Sequence, residues 1–428
     1  MLGRQAHRGS LRAILRSLWI VALAAKNSHS RRLRGLDRQR EPLTDRRVSL
    51  HARRESRGRV LLCYLKEPVE WSSDDERLNT GHPNKWDSWT LADILVELGW
   101  DLDVIDWDDW DFRPTRSYDA VIALDGNGAR LTGLMRPNSP TLLLHLTTAA
   151  PEFNNAAEES RLDALTERRG ANLRPQRQLA RIEGSEAALS EAQACTLTGN
   201  EWAASTYGSK LRSKIRPIGV TTVPDAGTVQ FNAGANDLLK NDFLWYFGGG
   251  AVHKGLDITL EAFSSLNALK LNVVGDLESE PDFLWEYRRE LFLTRNIRYH
   301  GYLTTHSDEL DRVLSESSFV VAPSCSEGTS TALAICIASG MIPILTREAG
   351  VSLPQGVGIV IEQATPRGVM SAVSEAAAMP TGTRNAMAAA AAKFGRESFS
   401  RSRYRDELTK FFSAELIDAG KRTAQRSS

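Results

Sequence analysis

Residues 320–350 read VVAPSCSEGTSTALAICIASGMIPILTREAG, and the order of residue types in them decides the fold. An apolar strand ends at Ala322, and a tight Pro-Ser-Cys-Ser-Glu-Gly turn follows. The pattern predicts a helix from Thr329 to Ser339, stopped by Gly340, and then a strand from Ile342 to Leu345. Strand, turn, helix, glycine stop and strand make a βαβ unit. Its turn is chemically loaded. The backbone N–H groups of Gly328, Thr329 and Ser330 lie at the helix N-terminus, where no intrahelical carbonyl meets them and the dipole favours an anion such as a phosphate. Glu327, beside them, would repel a phosphate but is suited to accept hydrogen bonds from sugar hydroxyls. An anion pocket with a carboxylate next to it points to a ligand that is part sugar and part nucleotide.

The 428 residues exceed one ordinary core and predict two domains of roughly 150 to 200 residues each. With 42% apolar and 25% charged residues, the composition is that of a soluble globular protein. Its net charge of zero hides an asymmetry. Residues 1–59 hold 16 Lys/Arg against 4 Asp/Glu, so the rest holds 37 against 49. An acidic body argues against a nucleic-acid partner. The cysteines Cys63, Cys195, Cys325 and Cys336 lack CxxC or metal-ligand spacing and read as reduced thiols of a cytoplasmic protein.

Residues 1–58 form a basic leader. Within it Leu11 to Ala25 is apolar but too short to span a bilayer. Four readings stay open: a signal peptide, a disordered leader, a start codon placed too early, and a basic amphipathic helix making peripheral contact with the inner face of a membrane through residues 1–30.

The remainder alternates strands and helices. Residues 60–65, 102–107, 120–124, 141–146, 194–199 and 215–219 read as strands of a first domain spanning 59–220, with helices over 86–98 and 154–169 and a short one from Glu201. The acidic, Trp-rich segment 101–111 fits an edge strand and turn better than a metal site. A polar, Gly-containing linker covers 221–241. Strands at 243–247, 271–275, 296–301, 319–323 and 342–345, with a helix at 256–269, define a second domain over 242–395. Helices at 383–394 and 404–416 close the chain, the last within a segment 396–428 expected to pack back on the first domain. This pattern implies α/β architecture with two Rossmann-like, doubly wound domains facing a cleft.

Several stretches of the second half resemble the group 1, retaining, family 4-like branch of the GT-B glycosyltransferases. They are Val252-His253-Lys254-Gly255-Leu256-Asp257, Leu260-Glu261-Ala262-Phe263, Asn296 to Tyr302, Pro323-Ser324, Glu327-Gly328, Ala338-x-Gly340 and Pro343. The first half is similar, more loosely, to a bacterial surface-polysaccharide subgroup, at His82-Pro83-Asn84, Phe153-Asn154-Asn155 with Glu158 and Arg161, Arg168-Arg169-Gly170, and Thr198-Gly199-Asn200. The resemblance implies that Lys254 binds the donor diphosphate and offsets charge on the leaving nucleotide. Glu327 would contact the transferred sugar. Gly249, Gly250, Gly328, Thr329 and Ser330 would complete the donor site. Lys254, Glu327 and His145, expected to face the cleft, are the candidate catalytic residues, and His82, Asn84 and Asn200 the candidate acceptor contacts. Glu158, Arg161, Arg168 and Arg169 fit either a salt-bridged helix or a site for an anionic acceptor such as a lipid diphosphate.

Two departures from the family pattern stand out. Ile335 occupies the place of a second Glu that holds the nucleotide ribose, and Gly249 occupies the place of an Arg. The expected function is transfer of a sugar from a nucleotide-sugar donor to a polysaccharide or lipid-linked acceptor, with no metal and no cofactor. The alternative is a catalytically degenerate GT-B protein that binds nucleotide or glycan as a scaffold in polysaccharide assembly. An epimerase on the same fold is the third possibility, and no acid/base pattern calls for it.

Overall fold

The computed structural model describes residues 47–80, 82–124, 126–179, 182–222, 242–305 and 307–417. The segment expected to make peripheral membrane contact (residues 1–30) and most of the expected linker lie outside them. The first domain is built on strands β1 (Val48–Leu50), β2 (Arg59–Tyr64), β3 (Asp101–Asp106), β4 (Ala120–Ala123), β5 (Thr141–Leu146), β6 (Ala194–Thr198) and β7 (Ile215–Ile218). They form one sheet of order β1-β3-β2-β4-β5-β6-β7, parallel except for β1, which runs antiparallel to β3. Strand β1 lies inside the stretch assigned above to the leader. It covers β3, so β3 is not the edge strand expected from its alternation. The acidic residues there are structural: buried Asp103 accepts from Ser49 Oγ at 2.6 Å and from Tyr118 Oη at 2.7 Å.

Both faces of this sheet are covered, which explains why its strands read as continuous apolar runs. Alternate residues go to opposite sides. Val60, Leu62, Ile122 and Leu143 face a core shared with helix α1 (Asn84–Glu97), whereas Leu61, Cys63, Val121 and Leu144 face one shared with α2 (Asn127–Leu134) and α4 (Ile182–Glu191). Between them in sequence runs the long α3 (Pro151–Arg169), ended by Gly170 in the left-handed region (φ 70°).

The second domain holds β8 (Asp242–Tyr246), β9 (Lys270–Val274), β10 (Ile297–Gly301), β11 (Phe319–Ala322), β12 (Ile342–Leu345) and β13 (Ile359–Val360). They form an all-parallel sheet of order β10-β9-β8-β11-β12-β13. The helices are α5 (Leu256–Ser265), α6 (Pro281–Glu286), α7 (Arg288–Leu293), α8 (Asp308–Glu316), α9 (Thr331–Ala338), α10 (Pro366–Ala378) and α11 (Thr381–Ser398). Strand order reverses between β8 and β11. In open parallel sheets the crevice outside the carboxyl ends at such a reversal is where ligands bind.

A last helix, α12 (Arg401–Glu415), returns to the first domain and buries Tyr404, Leu408, Phe411 and Phe412 in the core it shares with α1. The returning segment lies beside the end of the first domain: Thr222 N donates to Phe399 O at 3.1 Å and Thr222 Oγ1 to the same carbonyl at 3.3 Å. No helix among the described residues is long and apolar enough to cross a membrane.

Candidate active site

The loops after β8 and β11 meet at the switch point, and they carry the two residues that the βα turn and the Lys-Gly pair single out. Lys254 is 6% exposed and Glu327 is 7% exposed. The Lys254 ammonium donates to Glu327 Oε1, closing an ion pair across the crevice. Backbone geometry forces the lysine there. Gly255 sits at φ +74°, and a Cβ on it would press into Pro323, so only glycine lets the β8 loop lie against the β11 turn. Two further bonds clamp the loops together. Cys325 N donates to His253 O at 2.9 Å, and His253 Nε2 donates to Ser326 O at 2.5 Å.

Burial of Glu327 works against its charged form. The Lys254 ammonium, with the Arg177 guanidinium behind it, outweighs that cost and holds the carboxyl below its ordinary range. Burial pushes His253 down to about 4, so this imidazole is neutral at physiological pH. Lys254 is therefore the cation in direct contact with the carboxylate.

The glycine loop has an internal occupant. Glu280, at the start of α6, is buried and accepts from Gly250 N at 2.5 Å and from Ala251 N at 3.0 and 3.1 Å. Those N–H groups are the donors a phosphate oxygen would use. Burial raises the Glu280 carboxyl to about 7, so it alternates between acid and carboxylate near neutrality. Gly249 lies beside it, 3.7 Å separating Glu280 Oε1 from where a Cβ would stand.

Gly328 lies where the two domains press together. A Cβ there would stand 2.6 Å from Thr147 O, and a Cβ on Gly199 would stand 3.2 Å from Gly328 Cα. Thr329 Oγ1 donates to Gly350 O at 2.7 Å, and α9 starts at Thr331, two residues later than the turn predicts, with Ser330 as its N-cap. The helix nonetheless begins at the crevice, with Gly328 packed against the ends of β5 and β6. Ile335 is 5% exposed and packs in the domain core. It offers nothing to a ribose, so any ribose contact must come from elsewhere.

The remaining candidates fall in different places. Asn200 is at the interface: its Oδ1 caps the short helix Glu201–Ser205 through Ala203 N (2.9 Å), and its Nδ2 donates to Ser352 Oγ across the crevice (3.0 Å). It lines a cavity of about 250 Å³ between the domains, together with Gly199, Thr329, Ser352 and Arg403. His82 is exposed at the start of α1, its Nδ1 accepting from Asn84 N at 3.3 Å, beyond the carboxyl end of β2. No contact ties His82 or Asn84 to Lys254 or Glu327 among the described residues.

His145 does not face the crevice. It is 2% exposed, with Nδ1 2.8 Å from Thr196 Oγ1 and Nε2 3.3 Å from Tyr404 Oη. Its position in β5 has the same parity as Leu143, so its side chain points to the face that α12 covers. Burial depresses it to about 4. A base held neutral in the fold binds fewer protons than the unfolded chain between pH 6.5 and 4, so it stabilises the fold above that window and the contribution is lost as pH falls through it. The expected size is about 3 kcal/mol. Chemical denaturation at pH 7 and at pH 4 should show a larger loss for the wild type than for His145→Gln. Equal losses would contradict this placement.

The arginines of α3 are committed to holding the domains together. Arg168 bridges Asp257 (2.8 Å) and Glu261 (3.1 Å). Arg169 bridges Glu286 (2.7 Å) and Glu290 (2.9 Å) and lies 4.4 Å from the Tyr287 ring centre, while Arg161 Nη2 donates to Pro323 O at 3.2 Å. This decides between the two readings of these residues: they form a salt-bridged strut between domains and are not open to an anionic acceptor. Among the described residues no group of His, Cys, Asp and Glu could hold a metal ion.

Two twisted α/β domains, a switch-point crevice in the second and a return helix on the first define the GT-B fold. The profile described as "Glycosyl transferases group 1" matches residues 242–378, so the second domain is a glycosyltransferase group 1 domain and the chain is a transferase. Among solved structures, the sucrose-phosphate synthase of Thermosynechococcus elongatus is similar at TM-score 0.59 and 12% identity, over 85% of this chain and 100% of that one. A glycosyltransferase from Rickettsia africae gives 0.53 and 12%, over 84% and 99%. The Anabaena protein HepE, solved in complex with UDP-glucose, gives 0.52 and 12%, over 83% and 100%. At such identities these likenesses show the fold. No curated protein sequence matches the chain.

Sequence reasoning missed two residues of the crevice, Glu280 and Arg177. Neither belongs to a motif, and each reaches the glycine loop from a distant part of the chain.

Proposed function

We propose that the chain is a retaining glycosyltransferase that moves a sugar from a nucleotide-sugar donor to a saccharide or lipid-linked acceptor in surface-polysaccharide assembly. The observation that carries this is the Lys254–Glu327 pair, buried at the switch point of a glycosyltransferase domain, with the glycine loop and the α9 N-terminus on either side. The donor diphosphate enters between Lys254 and the N–H groups of Gly250 and Ala251, displacing the Glu280 carboxylate. The ammonium then leaves Glu327 for the phosphates, and Glu327 accepts from hydroxyls of the sugar. A similar fold solved with UDP-glucose makes a uridine diphosphate donor the first to test.

In the reaction the bond between the anomeric carbon and the phosphate oxygen breaks, and negative charge grows on the diphosphate. Lys254 and the backbone donors offset that charge in a site with little water, where a fixed cation acts most strongly. The acceptor oxygen bonds to the same face of the sugar, and its proton passes to the departing phosphate oxygen. No protein nucleophile takes part and no metal is required, because the ammonium and N–H groups neutralise the leaving group.

Nuclear magnetic resonance of the product tests this. The new linkage should keep the anomeric configuration of the donor, and transfer should persist in EDTA. An inverted linkage or a trapped glycosyl–enzyme adduct would contradict the mechanism. Burial of Ile335 in the core favours a second reading, a scaffold that binds without transfer. Binding with no turnover on any lipid-linked acceptor would support it.

A further inference from the structure

Position 249 lacks the cation that a diphosphate site would use beside Lys254, and the structure places another one nearby. Arg177 lies in the first domain, on the loop that follows α3. Its stem rests on the glycine loop of the second domain: a Cβ on Gly250 would stand 2.5 Å from Arg177 Cγ and 2.9 Å from Cδ. Gly250 is at φ +82°, so the absence of a side chain there both shapes the loop and makes room for the arginine. The charge of Arg177 is felt at Lys254, Glu327 and His253.

An exposed arginine is ordinarily just solvated, but the backbone of this one is held with unusual care. Buried Glu158 accepts from Gln176 N at 2.9 Å and from Arg177 N at 2.9 and 3.1 Å. Asn154 Nδ2 donates to Arg177 O at 2.8 Å, and Asn155 brackets Leu179 through bonds of 2.8 and 3.0 Å. The Asn154-Asn155-Glu158 cluster thus fixes a loop whose guanidinium, among the described residues, has no hydrogen bond or ion pair. A guanidinium held in place and without an anion is suited to bind one.

Resting on the donor-site reading above, we propose that Arg177 supplies the second phosphate-binding cation of the donor site, from the opposite domain. The diphosphate would then be held by Lys254 on one side and Arg177 on the other, so donor binding requires the domains to be closed.

Calorimetry tests this with whichever of UDP, ADP and GDP the wild type binds, and with the matching nucleoside. Arg177→Ala should weaken the diphosphate about tenfold to a hundredfold and leave the nucleoside unchanged. The thermal melt should not move, because the side chain is exposed. Arg177→Lys should recover part of the loss. The stronger test moves the charge. Gly249 is not at positive φ and its Cβ direction meets only Glu280 Oε1 at 3.7 Å, so Gly249→Arg is sterically admissible. In the Arg177→Ala background it should restore at least half of the lost binding, on a logarithmic scale. If Lys254→Ala weakens the diphosphate while Arg177→Ala binds within twofold of wild type, Arg177 has no such role and the donor site stands. If the wild type binds none of the three diphosphates, the donor site itself fails and the inference with it.

Discussion

Lys254→Ala is expected to lower kcat/KM by about a hundredfold to a thousandfold, the range seen when one preorganised electrostatic donor is removed from a reacting site. The loss should fall mainly on kcat, because the diphosphate gains charge as the glycosidic bond breaks and the cation binds the transition state more strongly than the ground state. Lys254→Ala also strands Glu327, whose carboxylate is 7% exposed and has Lys254 as its nearest cation. Lys254→Gln serves as a control for that effect, keeping length and a hydrogen bond but no charge. Both variants should lose activity to a similar extent, while the unfolding midpoint of Lys254→Gln falls less than that of Lys254→Ala because the amide can still donate to the carboxylate. A Gln variant that retains more than a third of wild-type kcat/KM would contradict a role for the charge.

Asp257→Ala should be the most destabilising single change on the domain interface. The carboxylate is fully buried and faces Arg168 at 2.8 Å and Arg161 at 3.9 Å. Arg161 is 6% exposed, so without Asp257 its charge is left in the interior without a counter-ion. Breaking a buried pair in this way costs about 3–5 kcal/mol, whereas the intact pair adds little net stability over an apolar replacement. Denaturant unfolding followed by tryptophan fluorescence should show the midpoint drop. The strut on α3 also sets the domain closure, so activity should fall further than stability alone explains. A change below about 1 kcal/mol would show that solvent reaches Arg161 and that the strut is weak.

The parallel strands were legible because a sheet covered on both faces demands continuous apolar runs, and those runs stand out at 60–65, 141–146 and 319–323. Strand β1 was not, since Val48–Leu50 is short, sits among arginines and earns its place only by pairing with β3. Helix α8 was missed although its pattern is strong: Ser307 caps it and Leu310, Val313 and Leu314 form one buried face. In the site, Lys254 and Glu327 could be found because local backbone chemistry marks them, a Lys-Gly before one helix and a carboxylate before another. Glu280 and Arg177 could not, because nothing local marks a residue that meets the glycine loop from 30 or more positions away. His145 was misplaced by a single strand's parity: His145, next to the end of β5 and followed by Thr147-Thr148, reads as crevice-facing until α12, some 260 residues later, is known to cover that face. The Asn154-Asn155-Glu158 cluster was visible as a pattern, but its task of holding the loop of Arg177 exists only in three dimensions.

The central claim is that Lys254 and Glu327 are the phosphate and sugar ends of one donor pocket. Calorimetric titration of a nucleotide-sugar panel into the wild type, Lys254→Ala and Glu327→Ala tests it most directly. One nucleotide sugar should bind the wild type more tightly than its own nucleoside diphosphate. Lys254→Ala should weaken both ligands together, and Glu327→Ala should remove the preference for the sugar while still binding the diphosphate. Three proteins that bind alike, or a wild type that binds no member of the panel, would contradict the account.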